Sequence, residues 1–345
     1  MTTPDGKLWS IQYLRFIAAF GVILFHSCGA TPYPFALGAI GVDLFFVISG
    51  FVMWHVVAAK PQTPGHFLSR RIRRIVPLYW TAIALVVFLV HVFGVRTLGA
   101  TDKAVPVIKS LLFIPYFNSN GTMGPVVSPG WTLNYEMFFY AVFGASLFIS
   151  AKYRFWLLAI IFLILWWCGQ NYAFDNPLLS TYLNPICMEF WFGVVAAELS
   201  LRFRLRGWTG LGAMVAGLIL VWLPDHFAGS AEPASRLTIA TGISAIVTGF
   251  VGLEFAGKLP RIGWLGYGGE ASYSLYLAQI FGFEAVRPLV GSLPGPAKAL
   301  AFAGSALLMG FVAHELVEKP MNDLLTKAGR LRKIAPPLPA AAPAE

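Results

Sequence analysis

Long apolar stretches separated by short polar segments extend along almost the whole chain. A helix needs about 20 apolar residues to cross the hydrocarbon core of a bilayer, because it rises about 1.5 Å per residue. Ten stretches have this length or come near it, at residues 11–30, 38–59, 76–95, 129–150, 155–173, 183–201, 208–223, 237–256, 262–283 and 299–317. The pattern predicts an all-α integral membrane protein with about ten transmembrane helices.

The composition supports a membrane protein. Of the 345 residues, 57% are hydrophobic and only 12% are charged, and the mean hydropathy is +0.68. These values exclude an ordinary soluble domain, so we expect the lipid bilayer to surround most of the chain. The three cysteines, Cys28, Cys168 and Cys187, fall inside predicted spans. Their spacing indicates neither a disulfide framework nor a metal site, and no metal is predicted.

The formal net charge is +9, which in a soluble protein would suggest a nucleic-acid partner. In a membrane protein the basic residues must first be compared with the loop topology. If the N-terminus is cytoplasmic, the cytoplasmic segments contain eighteen basic residues and the outer segments six. We therefore predict that both termini are cytoplasmic and that no nucleic acid binds.

We predict one polytopic membrane domain at residues 1–333, followed by a disordered tail at 334–345 that is rich in Pro and Ala. The longest external connection, residues 96–128, contains the short apolar run VIKSLLFIPYF and then NSNGTMG. This order predicts a short surface helix followed by a turn.

Several polar or ionisable residues lie within the predicted spans. A charge in hydrocarbon costs at least about 2.5 kcal/mol, so such a residue is a functional candidate unless a partner explains it. Five of them fall at a similar depth in the outer half of separate spans: His26, Asp43, Glu136, Glu189 and Gln279. They are candidates to line one cavity, and the alternative is that each is satisfied by a neighbouring helix. Three other titratable residues lie near span ends or in a connection and are expected to contact solvent: His91, His226 and Glu254.

Arginines mark the cytoplasmic side. Arg15 and His26 are eleven residues apart, which is three helical turns, so they share a helix face about 16 Å apart. In the segment FLSRRIRRIVPLYW, four arginines precede Pro77, and Arg71 and Arg74 share a face. This segment is either an ordinary positive-inside anchor or a bidentate phosphate site. A phosphate-bearing acyl donor such as acetyl-CoA would contact Arg15, Arg71 and Arg74 and place its thioester beside His26.

The motifs YLRFIAAFGVILFH, GVDLFFVISGFVM, RRIRRIVPLYW, WTLNYEMFFY, ASYSLYLAQ and HELVEKP resemble, in this order, the membrane acyltransferase family 3. The likeness covers nearly the whole chain. Within the family, the opening WSIQYLRFIAAF and the run GVDLFFVISGFVMW are similar to the exopolysaccharide O-acetyltransferases of the ExoZ type.

The resemblance implies a ten-span protein of the bacterial inner (plasma) membrane. It implies transfer of an acyl group, usually acetyl from cytoplasmic acetyl-CoA, to a hydroxyl of a polysaccharide or lipid-linked sugar acceptor. It also implies Arg15 and His26 as a paired essential set, Arg71 and Arg74 as the RxxR pair, and Glu136 as the acid of WxLxxE. Many family members have histidine at the end of the ninth-span motif, where this chain has Gln279. Because Gln cannot titrate, a proton role there is lost.

Acyl transfer to a hydroxyl needs a base and a group that stabilises the oxyanion. We expect His26 to be the base, with Asp43 or Glu136 accepting a hydrogen bond from its other ring nitrogen. A covalent acyl-histidine is an open alternative to direct transfer.

Two other function classes remain open at this stage. A proton-coupled membrane transporter of a small or lipid-linked solute also uses intramembrane carboxylates and histidine. A structural or assembly subunit of the membrane would use the arginines for anchoring alone. Transfer of label from acetyl-CoA to a polysaccharide or lipid-linked sugar would distinguish the acyltransferase from the transporter. Unlike the anchoring hypothesis, the acyltransferase hypothesis predicts that lysine at Arg71 or Arg74 weakens donor binding.

Overall fold

The described part of the computed structural model is helical and comprises residues 7–28, 38–94, 103–118, 121–203, 207–227 and 233–334. Its β pairing is an isolated bridge between Phe117 and Met123. The helices are α1 Trp9–Ser27, α2 Ile40–Ala59, α3 Pro64–Phe93, α4 Ala104–Leu111, α5 Gly130–Ser146, α6 Ala151–Asn171, α7 Pro177–Tyr182, α8 Met188–Phe203, α9 Trp208–Phe227, α10 Pro233–Phe255, α11 Gly263–Glu270, α12 Ser272–Val286, α13 Gly295–Ala313 and α14 Lys319–Ile334. The predicted all-α class is confirmed.

Six helices within the described ranges are long and apolar enough to cross a membrane. They are α1, α2, α3 and α6, most of α10, and the continuous segment Gly295–Lys327. The other predicted spans correspond to α5, α8, α9 and the pair α11 and α12. Of these, α5, α8, α11 and α12 are shorter helices, and α9 contributes the shorter apolar segment Trp208–Trp222. The helices therefore indicate a multi-pass membrane protein.

α3 begins earlier than the apolar pattern predicts. The predicted span starts at residue 76, whereas the helix starts at Pro64, and Thr63 caps it by accepting a hydrogen bond from the His66 backbone N–H at 3.3 Å. A hydroxyl residue followed by proline is a favourable helix start. The arginines near 70–74 thus lie inside the helix, and Arg71 is only 7% exposed.

Two predicted spans are interrupted helices. The ninth, predicted at 262–283, consists of α11 and α12, which meet at Ala271. The tenth, predicted at 299–317, consists of α13 followed by a π-helical turn at His314–Glu318, which leads into α14. A π turn widens the helix locally and changes which side chains face each neighbour.

α2 and α8 pack with their backbones in contact. A Cβ atom at Gly50 of α2 would lie 2.0 Å from the Phe190 carbonyl oxygen, and one at Gly193 of α8 would lie 2.0 Å from the Val47 carbonyl oxygen. Small residues permit this approach, as is common between membrane helices. The contact therefore fixes α2 closely against α8.

The first turn of α1 is anchored by α10. The Glu254 carboxylate accepts hydrogen bonds from the backbone N–H groups of Trp9 at 2.8 Å and Ser10 at 2.9 Å. Glu254 is partly exposed, and beyond the expected solvent contact its carboxylate caps a helix whose first N–H groups lack intrahelical partners. The cap positions the helix that carries Arg15.

The external connection is partly described. Its predicted surface helix is α4, and the Phe117–Met123 bridge closes the predicted turn. Residues 95–102 and 119–120 of this connection lie outside the described residues. So does the predicted tail, except residue 334, which belongs to α14.

Candidate active site

A cavity of about 160 Å³ lies between α1, α2, α3, α5 and α12. Its charged lining consists of Arg15 from α1, Arg71 and Arg74 from α3, and Glu136 from α5. Four of the six residues predicted from the sequence to form the site thus meet here. Three guanidinium groups against one carboxylate make the cavity strongly electropositive, which favours an anionic ligand.

The cavity arginines lie beyond ion-pair distance of every carboxylate in the described part of the chain. Within the described ranges, none of the three guanidinium groups takes part in an ion pair. Arg71 is buried, its Nε has no hydrogen-bond partner there, and its guanidinium lies 5.8 Å from the centre of the Phe67 ring. Buried charges of this kind are costly without a partner, so a ligand with several negative oxygens would stabilise them.

Glu136 is held at the cavity wall by two hydroxyl groups. Tyr140, one turn later on α5, donates a hydrogen bond to Glu136 Oε1, and Ser49 of α2 donates another to the same oxygen at 3.3 Å. Both donors line the cavity, and Glu136 also interacts electrostatically with Arg15 and Arg71. Together these neighbours fix the position of the carboxylate at the cavity wall.

A second pair of hydroxyl groups lies toward the Gly130 end of α5. Thr132 Oγ1 and the Tyr276 hydroxyl are 3.0 Å apart, and both residues line the cavity. The Tyr276 hydroxyl also lies 3.4 Å from the Pro129 carbonyl oxygen, to which it donates. The cavity therefore carries arginines at one end and neutral hydroxyls at the other, with Glu136 between them.

His26 lies apart from this cavity. It is exposed in the last turn of α1, its ring contacts Phe25 with the centroids 5.2 Å apart, and it is not among the cavity-lining residues. Arg15 and His26 lie in one helix as predicted, but only Arg15 borders the cavity. The catalytic role of His26 stays a prediction.

Asp43 belongs to a separate cluster. Arg236 Nη1 of α10 lies 3.5 Å from Asp43 Oδ1 and 3.6 Å from Glu189 Oε1. Asp43 and Glu189 therefore lie at a similar depth along their helices, as the sequence pattern predicts. Arg236 is one of the six basic residues that the charge pattern places in the outer segments. Its partnership with two carboxylates is not predictable from the sequence, because the order of residues does not show which helix faces another. The role of Asp43 beside His26 also stays a prediction.

The remaining candidate, Gln279, is 1% exposed and does not line the cavity. Its amide Nε2 donates to the Tyr276 carbonyl oxygen at 2.8 Å.

Ser49 and Tyr140 are functional candidates that the sequence did not single out. The spacing of four between Glu136 and Tyr140 was a readable signal, since such pairs meet on a helix. In the described part of the chain, no group of three His, Cys, Asp or Glu side chains is arranged to hold a metal ion.

Known proteins provide an independent comparison. The chain is 35% identical over 327 residues to the exopolysaccharide production protein ExoZ of Rhizobium meliloti (strain 1021), which covers 90% of this chain and 97% of that protein. It is 26% identical to the acyltransferase MdmB of Streptomyces mycarofaciens, over 95% of this chain and 94% of that protein. It is also 29% identical to the peptidoglycan O-acetyltransferase OatA of Listeria monocytogenes, over 42% of this chain and 25% of that protein. No solved structure matches the chain significantly.

The family comparison covers most of the chain. The acyltransferase domain of family 3 matches residues 8–315, which include all five helices around the cavity. A match of this extent leaves only the two ends of the chain outside, so this protein belongs to acyltransferase family 3 and is an acyltransferase.

Proposed function

We propose that this protein is a membrane O-acyltransferase that moves an acetyl group from cytoplasmic acetyl-CoA to a hydroxyl of an exported or lipid-linked polysaccharide. The observation that carries the proposal is the cavity in which Arg15, Arg71 and Arg74 meet Glu136. Family membership favours this enzyme over the transporter alternative.

The donor is proposed from the chemistry of the arginines. CoA carries several phosphate groups, and guanidinium groups bind phosphate in bidentate fashion. Arg71 and Arg74 are three residues apart on α3, and Arg15 faces the same cavity from α1. Phosphates bound at this end would direct the thioester toward Glu136 and the hydroxyl pair of Thr132 and Tyr276.

The proposed chemistry needs a base for the acceptor hydroxyl and positive charge for the oxyanion. His26 is the proposed base, and Glu136 and Asp43 are the proposed carboxylates of the catalytic set. Since Asp43 pairs with Arg236, Glu136 is the better placed of the two to act at the cavity. Because His26 lies outside the cavity lining, the acceptor would bind between His26 and the cavity.

The proposed topology has ten spans, both termini in the cytoplasm, and a location in the bacterial inner membrane. The excess of basic residues in alternate connections supports it. Six spans are supported by length and composition, and α5, α8, α9 and the pair α11 and α12 would supply the other four.

The acceptor class is proposed from the relatives. ExoZ, whose name refers to exopolysaccharide production, matches over 90% of this chain. OatA is named for O-acetylation of peptidoglycan. A sugar hydroxyl of an exopolysaccharide is therefore the proposed acceptor.

The test measures transfer of label from acetyl-CoA in membranes that contain the full chain. We expect labelled acetyl to appear in a polysaccharide or lipid-linked sugar fraction, and the Glu136→Gln variant to lose this transfer. Mass spectrometry of exported glycans, with and without the protein, should show a difference of one acetyl group. Release of free CoA that does not depend on an acceptor would count against the proposal.

A further inference from the structure

Glu318 lies behind the arginine end of the cavity without lining it. It is the last residue of the π-helical turn His314–Glu318 and is only 7% exposed. π turns are rare and occur often at functional sites, because they place a side chain where a regular helix would not. Here the turn places a carboxylate inside the helix bundle.

Two side chains orient this carboxylate. Ser274 Oγ of α12 donates to Glu318 Oε2 at 2.6 Å, and His314 Nδ1 lies 2.8 Å from the same oxygen. The His314 ring is in turn packed edge-on against Tyr267, with the centroids 5.7 Å apart. A buried carboxylate bonded in this way has a fixed position and direction.

The same layer of the bundle contains Arg74. Tyr273, the residue before Ser274, donates to the carbonyl oxygen of Ile75 at 2.8 Å, and Ile75 directly follows Arg74. The bond holds α12 and its Ser274 against α3 at the level of the arginine. The Glu318 carboxylate interacts electrostatically with Arg74 and also with Arg15.

Arg15 and Arg74 repel each other, because both are cationic and both line the small cavity. Such repulsion is stronger in a protein interior of low effective dielectric constant than it is in water. Glu318 supplies an opposing charge from outside the cavity lining. The guanidinium N–H groups on the cavity side therefore remain available to a ligand.

We propose that Glu318 is a positioning residue that holds Arg15 and Arg74 together from behind so that both can bind the phosphates of the acyl donor. The inference rests on the proposed function, which supplies an anionic donor. Glu318 itself does not touch the donor or the reacting atoms.

The proposal predicts the sign of a change in affinity. If Glu318 acted only through its charge, Glu318→Gln would make the cavity more positive and would strengthen anion binding. If it positions the arginines, the same substitution weakens binding. We expect the Kd for CoA to rise about tenfold or more, which corresponds to about 1.4 kcal/mol.

The experiment uses the full chain purified in detergent and measures CoA binding by calorimetry, together with KM for acetyl-CoA and kcat. Glu318→Gln is expected to raise Kd and KM with little change in kcat, and Glu318→Asp to restore part of the affinity. The matched control is Glu315→Gln, which removes the same charge from the same turn. Glu315 is exposed and pairs with Lys319 at 3.1 Å, and its loss should leave Kd within about twofold of wild type, since exposed pairs contribute little.

A second variant covers the case in which Glu318→Gln does not fold. Ser274→Ala keeps every charge and removes one of the two bonds that orient Glu318, and Kd is expected to rise several-fold. Wild-type protein that fails to bind CoA would overturn the proposed function. If the wild-type protein binds CoA and Glu318→Gln binds it equally well or more tightly, only the positioning role is overturned. If Glu318→Gln is unfolded, the same result in Ser274→Ala overturns that role.

Discussion

Tyr140 donates its phenolic hydrogen to Glu136 Oε1 across one turn of α5. Ser49, which projects from α2, donates to the same oxygen at 3.3 Å. The two donors hold the carboxylate against the cavity wall, between the arginine end and the Thr132–Tyr276 hydroxyl pair.

Tyr140→Phe is expected to slow acyl transfer about tenfold to a hundredfold. A hydrogen bond to a charged group contributes about 1.5–3 kcal/mol, and phenylalanine removes it while keeping the ring. The measurement is the initial transfer rate at saturating donor and acceptor. Tyr153→Phe, at an exposed position on α6, is the control, and equal rates in both variants would contradict a role for Tyr140.

Arg71→Lys is expected to weaken CoA binding about tenfold, because a lysine point charge cannot reproduce the bidentate fork. Lysine preserves the positive-inside signal, so the insertion of the protein should not change. The control is Arg70→Lys, since Arg70 is exposed and outside the cavity lining. Identical Kd values for the two variants would show that Arg71 serves only as an anchor.

His26→Ala is expected to abolish acyl transfer to the acceptor while CoA binding persists. The side chain lies outside the cavity lining that contains the arginines, so its loss should not disturb the donor. Binding is measured by calorimetry and transfer with labelled acetyl-CoA. His91→Ala, at the exposed end of α3, should retain wild-type activity. Full activity in His26→Ala would remove His26 from the mechanism.

Gly50→Ala is expected to destabilise the protein by about 1–3 kcal/mol, a typical cost of overpacking. Its new Cβ would lie 2.0 Å from the Phe190 carbonyl oxygen, so α2 and α8 would have to separate. Thermal unfolding in detergent should show a lower Tm. Gly212→Ala on α9 is the control, since a Cβ atom there would meet no neighbouring helix or side chain within 4 Å. A Tm for Gly50→Ala as high as that of the control would contradict the close packing.

Arg236→Met is expected to lower the free energy of unfolding by up to about 3 kcal/mol, because it leaves the carboxyl groups of Asp43 and Glu189 buried without their cation. Arg236→Lys should lower the free energy of unfolding by less, since lysine keeps the positive charge. Arg287→Met, which breaks an exposed pair with Glu284, is the control. Equal stability of Arg236→Met and this control would show that the cluster does not stabilise the fold.

Several elements were predictable from local pattern. The second predicted span ends at residue 59, where α2 also ends, because the apolar run stops there at Lys60 and Pro61. The start of α3 was missed because the arginines interrupt the apolar pattern. The Thr63–Pro64 cap was a readable signal for the true start.

The candidate site was predictable only in part. Glu136 was predictable because a charge within a span is costly, and Arg71 and Arg74 because clustered arginines on one helix face can bind phosphate. Arg15 was predictable because it shares a helix face with His26, and these four residues meet at one cavity. Ser49 was not selected, since a hydroxyl inside a span is common and its bond to Glu136 joins two helices 87 residues apart in sequence. Glu318 was not predictable, because the predicted tenth span ends at residue 317 and the sequence pattern does not show that a π turn places this side chain inside the bundle.

The sequence by itself determined that the chain is helical, apolar and biased in charge, because hydrophobic burial and the cost of charge in lipid act on each segment separately. Only the tertiary structure decided that Arg236 faces Asp43 and Glu189, that Glu254 caps α1, and that His26 lies outside the cavity that contains Arg15. The rotation of each helix about its axis depends on packing between residues far apart in the chain, and no local pattern specifies it.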